Sequence, residues 1–88
     1  TRSNIMSYQV IIDMTLVLPR IKNLGLKLGI FQKDSVVLTL EADNPDDACY
    51  FAYKTFCDYI IEQSSTFETK NLLKELKNEF VVVGLRLL

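Results

Sequence analysis

Three features of the sequence predict an α+β fold: a four-stranded, mainly antiparallel sheet with two helices on one face. Apolar and polar residues alternate ahead of Pro19 and again from Val36 to Ala42. A proline-led helix start follows at Asn44-Pro45, and an apolar run extends from Phe80 to Leu88. The expected order is β-β-β-α-α-β in a single domain over residues 1–88. A chain of 88 residues has room for one core and none for a separate catalytic lobe. Its 49% hydrophobic content is enough to offset the entropy of ordering, so folding is expected.

The first strand is read from Val10 to Leu18. Val10, Ile12, Met14, Leu16 and Leu18 share one face, while Gln9, Ile11, Asp13, Thr15 and Val17 share the other, and Pro19 ends the run. Ile11 and Val17 interrupt the polar face, which makes both candidates for a protein interface. Residues 1–6 read as a tag remnant or a disordered segment, because the first methionine is Met6.

Arg20 to Phe31 carries two periodicities. Ile21, Leu24, Leu28 and Phe31 fit a helix, whereas Leu24, Leu26, Leu28 and Ile30 fit a strand. The strand is preferred, because Gly25 and Gly29 would each cost a helix interior about 1 kcal/mol. Gln32-Lys33-Asp34-Ser35 then becomes a hairpin turn. If 20–31 were helical instead, the topology would be a split β-α-β of ferredoxin-like kind. The next strand places Val36, Leu38, Leu40 and Ala42 on one face and Val37, Thr39 and Glu41 on the other.

A helix is expected from Pro45 to Gln63. Asn44 is its N-cap, proline occupies the first turn, and Asp46 and Asp47 lie near the positive end of the dipole. At 100° per residue Cys49, Ala52, Tyr53, Phe56, Cys57 and Ile60 form one face, with Lys54, Thr55, Asp58 and Glu62 opposite. Phe51 falls on that polar side and Tyr59 at its margin, so both join the interface candidates. Ser65 and Glu68 match a capping box for a second helix to about Asn78, with Leu72, Leu73 and Leu76 as its buried stripe. The last strand, Phe80 to Leu88, is apolar on both faces and is therefore expected at the centre of the sheet.

The chain has no histidine, which removes the commonest general base and the commonest neutral metal ligand. Cys49 and Cys57, about 12 Å apart along one helix, are too distant for a disulfide and read as structural thiols in a reducing, cytoplasmic setting. The acidic cluster Glu41, Asp43, Asp46 and Asp47 is explained by helix capping, and its spacing is not that of an EF-hand. Gly25 and Gly29 do not sit in a phosphate-binding turn between strand and helix. No catalytic, metal-binding or cofactor-binding constellation emerges, so a non-enzymatic role is expected. No apolar stretch approaches the ~20 residues that span a bilayer, so no membrane partner is expected.

Charge is unevenly spread: net +3 over residues 1–40, −5 over 41–63 and +1 over 64–88. Lys70, Lys74 and Lys77 form a basic stripe on the second helix, which gives an alternative reading as a small nucleic-acid-binding module. The primary expectation is an assembly or regulatory module that binds itself, as a homo-oligomer, or another protein. It would use an apolar sheet face or edge, with Ile11, Val17, Phe51 and Tyr59 as candidates.

Overall fold

The structure, a computed structural model, describes residues 5–88. The reading of residues 1–6 as a tag or tail therefore falls for its first four residues outside the described part; Met6 is the first residue of a strand. The elements are strand β1 (Met6–Asp13), helix α1 (Leu18–Lys22), a 3₁₀ turn (Gly29–Gln32), strand β2 (Ser35–Ala42), helix α2 (Pro45–Gln63), helix α3 (Phe67–Leu76) and strand β3 (Val81–Leu87).

The sheet has three strands in the order β2-β1-β3, all antiparallel neighbours, instead of the expected four. The missing strand is the one expected over residues 20–31. Leu18–Lys22 is helical with Pro19 in its first turn, and both Gly25 (φ +67°) and Gly29 (φ +56°) take left-handed conformations that break any strand. The helical set is the one that enters the core. Ile21, Leu28 and Phe31 are buried and Leu24 is half-buried, whereas Ile30 of the strand set is exposed. Consequently 32–35 is not a hairpin turn.

The first strand also ends at Asp13 instead of Leu18. The Asp13 carboxylate accepts from the backbone N–H of Thr15 at 2.9 Å and turns the chain. Beyond it Met14, Val17 and Leu18 are buried while Leu16 is exposed, so the period of two has stopped.

The conditional ferredoxin-like topology is not seen, because β1 and β2 are antiparallel neighbours. A split arrangement does arise elsewhere: β2 and β3 each run antiparallel to β1, hence parallel to one another, and α2 and α3 connect them. β1 occupies the slot between. The C-terminal strand, expected at the centre, is at an edge.

Helix α2 matches its sequence signals. The Asn44 side chain accepts from the N–H of Asp47 at 2.8 Å, Pro45 opens the helix, and Ala48, Ala52, Phe56 and Ile60 are buried against β1 and β2. In α3 the N-cap is Thr66 instead of Ser65, accepting from Thr69 N–H at 3.2 Å, and the helix ends at Leu76 instead of Asn78. Thr69, Leu73 and Leu76 are its buried residues. A chain of rings, Tyr59-Phe31-Phe56-Phe80-Tyr53, runs through the core with centroids 5.2–5.6 Å apart.

Candidate interaction surface

Helix α2 packs on β1 and β2 with α3 against it, and β3 lies at the margin of that cover. None of its residues is fully buried, and Val81, Val83, Leu85 and Leu87 are all exposed, Val83 at 60% and Leu87 at 57%. Leu88, just beyond, is exposed as well. These side chains come from both faces of the strand. Val82 pairs with buried Ile12, Leu85 with Val10 and Leu87 with Tyr8, which places them on the helix-covered face; Val81 pairs with Asp13 and Arg86 with Gln9 on the open face.

The backbone of β3 is equally bare on its outer side. Leu88 N–H donates to the Ser7 carbonyl at 2.9 Å. Antiparallel pairing alternates hydrogen-bonded with non-bonded pairs, so Arg86 and Gly84 turn their backbone groups toward β1 while Leu85 and Leu87 direct theirs outward. A register shift leaves Val83 without a partner on β1, between the pairs Ile11–Gly84 and Ile12–Val82. The regular part of the edge therefore runs from Gly84 to Leu88.

The candidates expected from sequence do not form one patch. Val17 is fully buried and drops out as an interface residue: the turn after Asp13 carries it into the core. Ile11 is half-buried on the open face between Val37 and Gly84, and its side chain lies where a Cβ on Gly84 would be, 3.0 Å away. Tyr59 is half-buried, its ring tilted on Phe31 and its hydroxyl filling the space above Gly29. Phe51, 38% exposed, lies on the helical layer beside the end of β2, in a shallow surface shared with Glu41, Asp43 and Asp47. Phe80 and Val82 pack against the core.

The basic stripe is partly offset. Lys70 and Lys74 are exposed and rim an apolar groove between α2 and α3, about 330 Å³ in volume, beside Tyr53, Cys57, Ile61, Leu73 and the largely exposed Phe67. Lys77 sits at the C-cap of α3. Arg20, which would have enlarged the stripe, is held by Glu75 at 2.7 Å and Glu79 at 2.9 Å.

Both cysteines are free and half-buried. Burial pushes the Cys57 thiol above its ordinary range, and burial followed by the nearby Asp46 carboxylate does the same for Cys49. Protonated thiols of this kind are poor nucleophiles at neutral pH. Among the described residues no group of three or more Cys, Asp or Glu side chains is placed to hold a metal ion, and no helix is long and apolar enough to cross a membrane.

Compared with protein-family models, with curated proteins and with solved structures, the chain matches none.

Proposed function

We propose that this domain is a non-enzymatic interaction module that associates with itself through the apolar surface around β3. The supporting observation is the exposure of Val81, Val83, Leu85, Leu87 and Leu88, from both faces, along an unpaired strand edge. Edges of this kind recruit further strands unless charge, proline or a covering element blocks them. Contiguous apolar surface on a small domain also marks contact sites. Assembly or regulatory scaffolding is the class of role such a module fills.

Light-scattering mass on a gel-filtration column, at two protein concentrations and two salt levels, tests the reading. A dimer insensitive to salt supports it, and a monomer at about 100 μM, a concentration above the Kd of ordinary stable complexes, overturns it.

A second reading rests on Phe67. An exposed aromatic ring beside Lys70 and Lys74 is the combination that stacks a base and contacts a phosphate. On this reading the chain binds single-stranded nucleic acid, more weakly as salt rises, and exchanging Lys70, Lys74 and Lys77 for glutamate abolishes binding. Retained affinity in that triple variant removes it.

A further inference from the structure

We infer that the groove between α2 and α3 is a binding site for an aliphatic carboxylate of medium chain length, with the chain on the apolar floor and the carboxylate at Lys70 and Lys74. The site does not depend on the self-association proposed above.

The floor is an apolar seam between two helices. Tyr53, Cys57 and Ile61 stand four residues apart on α2 and so share one face, and Leu73 of α3 completes the lining. The Tyr53 hydroxyl is already committed to the Leu73 carbonyl at 2.6 Å, and burial keeps the Cys57 thiol protonated. The floor therefore carries no charge. Phe67 also lines the groove, and at 77% it is the most exposed of the large apolar side chains among the described residues. A chain lying in the groove covers a ring that the fold itself leaves bare.

The rim has one sign. Lys70 and Lys74 are one turn apart on α3 and both are exposed, and among the described residues no Asp or Glu lines the groove. Glu75 and Glu79, the acids that follow them, are held by Arg20 at 2.7 and 2.9 Å, and among the described residues neither lysine takes part in an ion pair. Lysine stems lie along apolar surface and keep their ammonium groups in water, where the head of a bound amphiphile also sits. The complement of this arrangement is an anionic head on an apolar tail.

Size favours a small molecule over a macromolecule. Eight residues line the groove, whereas a stable protein contact engages roughly 20–30 on each side. The volume of about 330 Å³ is at the lower end of the range for ligand sites. Since a cavity of ~150 Å³ takes one benzene, the groove takes a chain of roughly ten carbons. A single-stranded oligonucleotide could use Phe67 and the lysines, but it leaves the apolar floor empty.

Isothermal titration of the full chain with hexanoate, octanoate and decanoate, each below its micelle concentration, tests the site. Affinity should rise roughly threefold per added methylene, somewhat below the factor of about four that complete burial gives. Decyltrimethylammonium, the same tail with a cationic head, should bind roughly tenfold more weakly than decanoate, and Lys70→Glu combined with Lys74→Glu should weaken decanoate by a similar factor. Lys70→Gln combined with Lys74→Gln, which removes the charges without reversing them, should weaken it less. Decanoate should also slow alkylation of Cys57 by iodoacetamide while leaving Cys49, which is outside the groove, unaffected. The site is overturned by a lack of saturable binding, by equal affinity for the cationic amphiphile, or by equal slowing at both cysteines. Unchanged decanoate affinity in both lysine variants, with circular dichroism spectra like wild type, overturns it too. An oligothymidylate that binds more tightly than decanoate assigns the lysines to nucleic acid and overturns the carboxylate site.

Discussion

The two edges of the sheet are built from similar residues and protected very differently. β2 buries Val36, Leu38 and Ala42 on its inner face, exposes Val37, Thr39 and Glu41 on its outer face, and has Lys33, Asp34 and Asp43 just outside its two ends. β3 buries none of its residues fully, carries Arg86 alone as charge, and has the irregularity at Val83 as its one protective device. The helical layer explains the difference. α2 packs on β2 and β1, and Phe80, just ahead of β3, is the residue that reaches the aromatic chain at Tyr53 and Phe56. Beyond the reach of α2, Leu85 and Leu87 stay exposed on the same face as the helices, and Val81 stays exposed on the open face.

The largest expected effect comes from Leu85→Pro. The lost N–H of Leu85 points outward, so the β1–β3 pairing stays intact while the free edge is blocked. Dimer dissociation should increase roughly 100-fold, equivalent to about 2.7 kcal/mol, with an unchanged circular dichroism spectrum. Equal dimer affinity in this variant would mean that β3 is not the paired edge.

Stripping the other edge sharpens the comparison. Asp34→Ala combined with Glu41→Val should let β2 pair as well, so that sedimentation shows species heavier than a dimer and increasing with concentration. A distribution identical to wild type would mean that the 3₁₀ turn, not charge, guards β2.

Changes in the helical layer should separate folding from edge pairing. The Tyr53 hydroxyl donates to the Leu73 carbonyl at 2.6 Å, and Tyr53→Phe should cost about 1 kcal/mol of unfolding free energy in urea without altering the dimer. Burial and then the Cys57 thiol hold the Tyr53 phenol well above its ordinary value of 10.0, and burial raises Cys57 above 9.0. Raised values favour the protonated folded form, so this stabilisation is complete below about pH 9 and is lost as pH rises through 9–10 toward the folded-state values. The phenylalanine variant should lose stability less steeply above pH 10. The smallest effect belongs to Phe51→Ser, at most about 0.5 kcal/mol, with dimer mass retained. A loss of several kcal/mol there would place Phe51 in the core.

The regular parts of the fold were legible because their signals are local. The alternation from Val36 to Ala42, the Asn44-Pro45 start and the α2 face depend on neighbours within a few residues, and the structure reproduces them. The link from Met14 to Asp34 was not legible, because its short helix and 3₁₀ turn are set by contacts with distant elements. Gln63, for example, binds both the N–H and the carbonyl of Lys27, at 2.9 and 2.6 Å. The position of β3 depended on that link. An apolar run reads as central when a fourth strand is counted and as an edge when residues 20–31 supply none. The exposed β3 residues were missed for the same reason, although the two-sided apolar pattern that identifies them was plain in the sequence.

The pairing of Tyr8 with Leu87 joins the first and last strands of the domain across nearly its whole length. β1 and β2 with α2 can assemble from residues close in sequence, but one side of β1 stays open until β3 has been made and threaded back beside it. Contacts between such distant positions are slow to form and raise the entropic cost of closing the chain. During synthesis the central strand therefore passes through a stage in which it is itself an edge, apolar on its inner face at Val10 and Ile12. Hydrogen exchange should mark β3 as the last segment to gain protection.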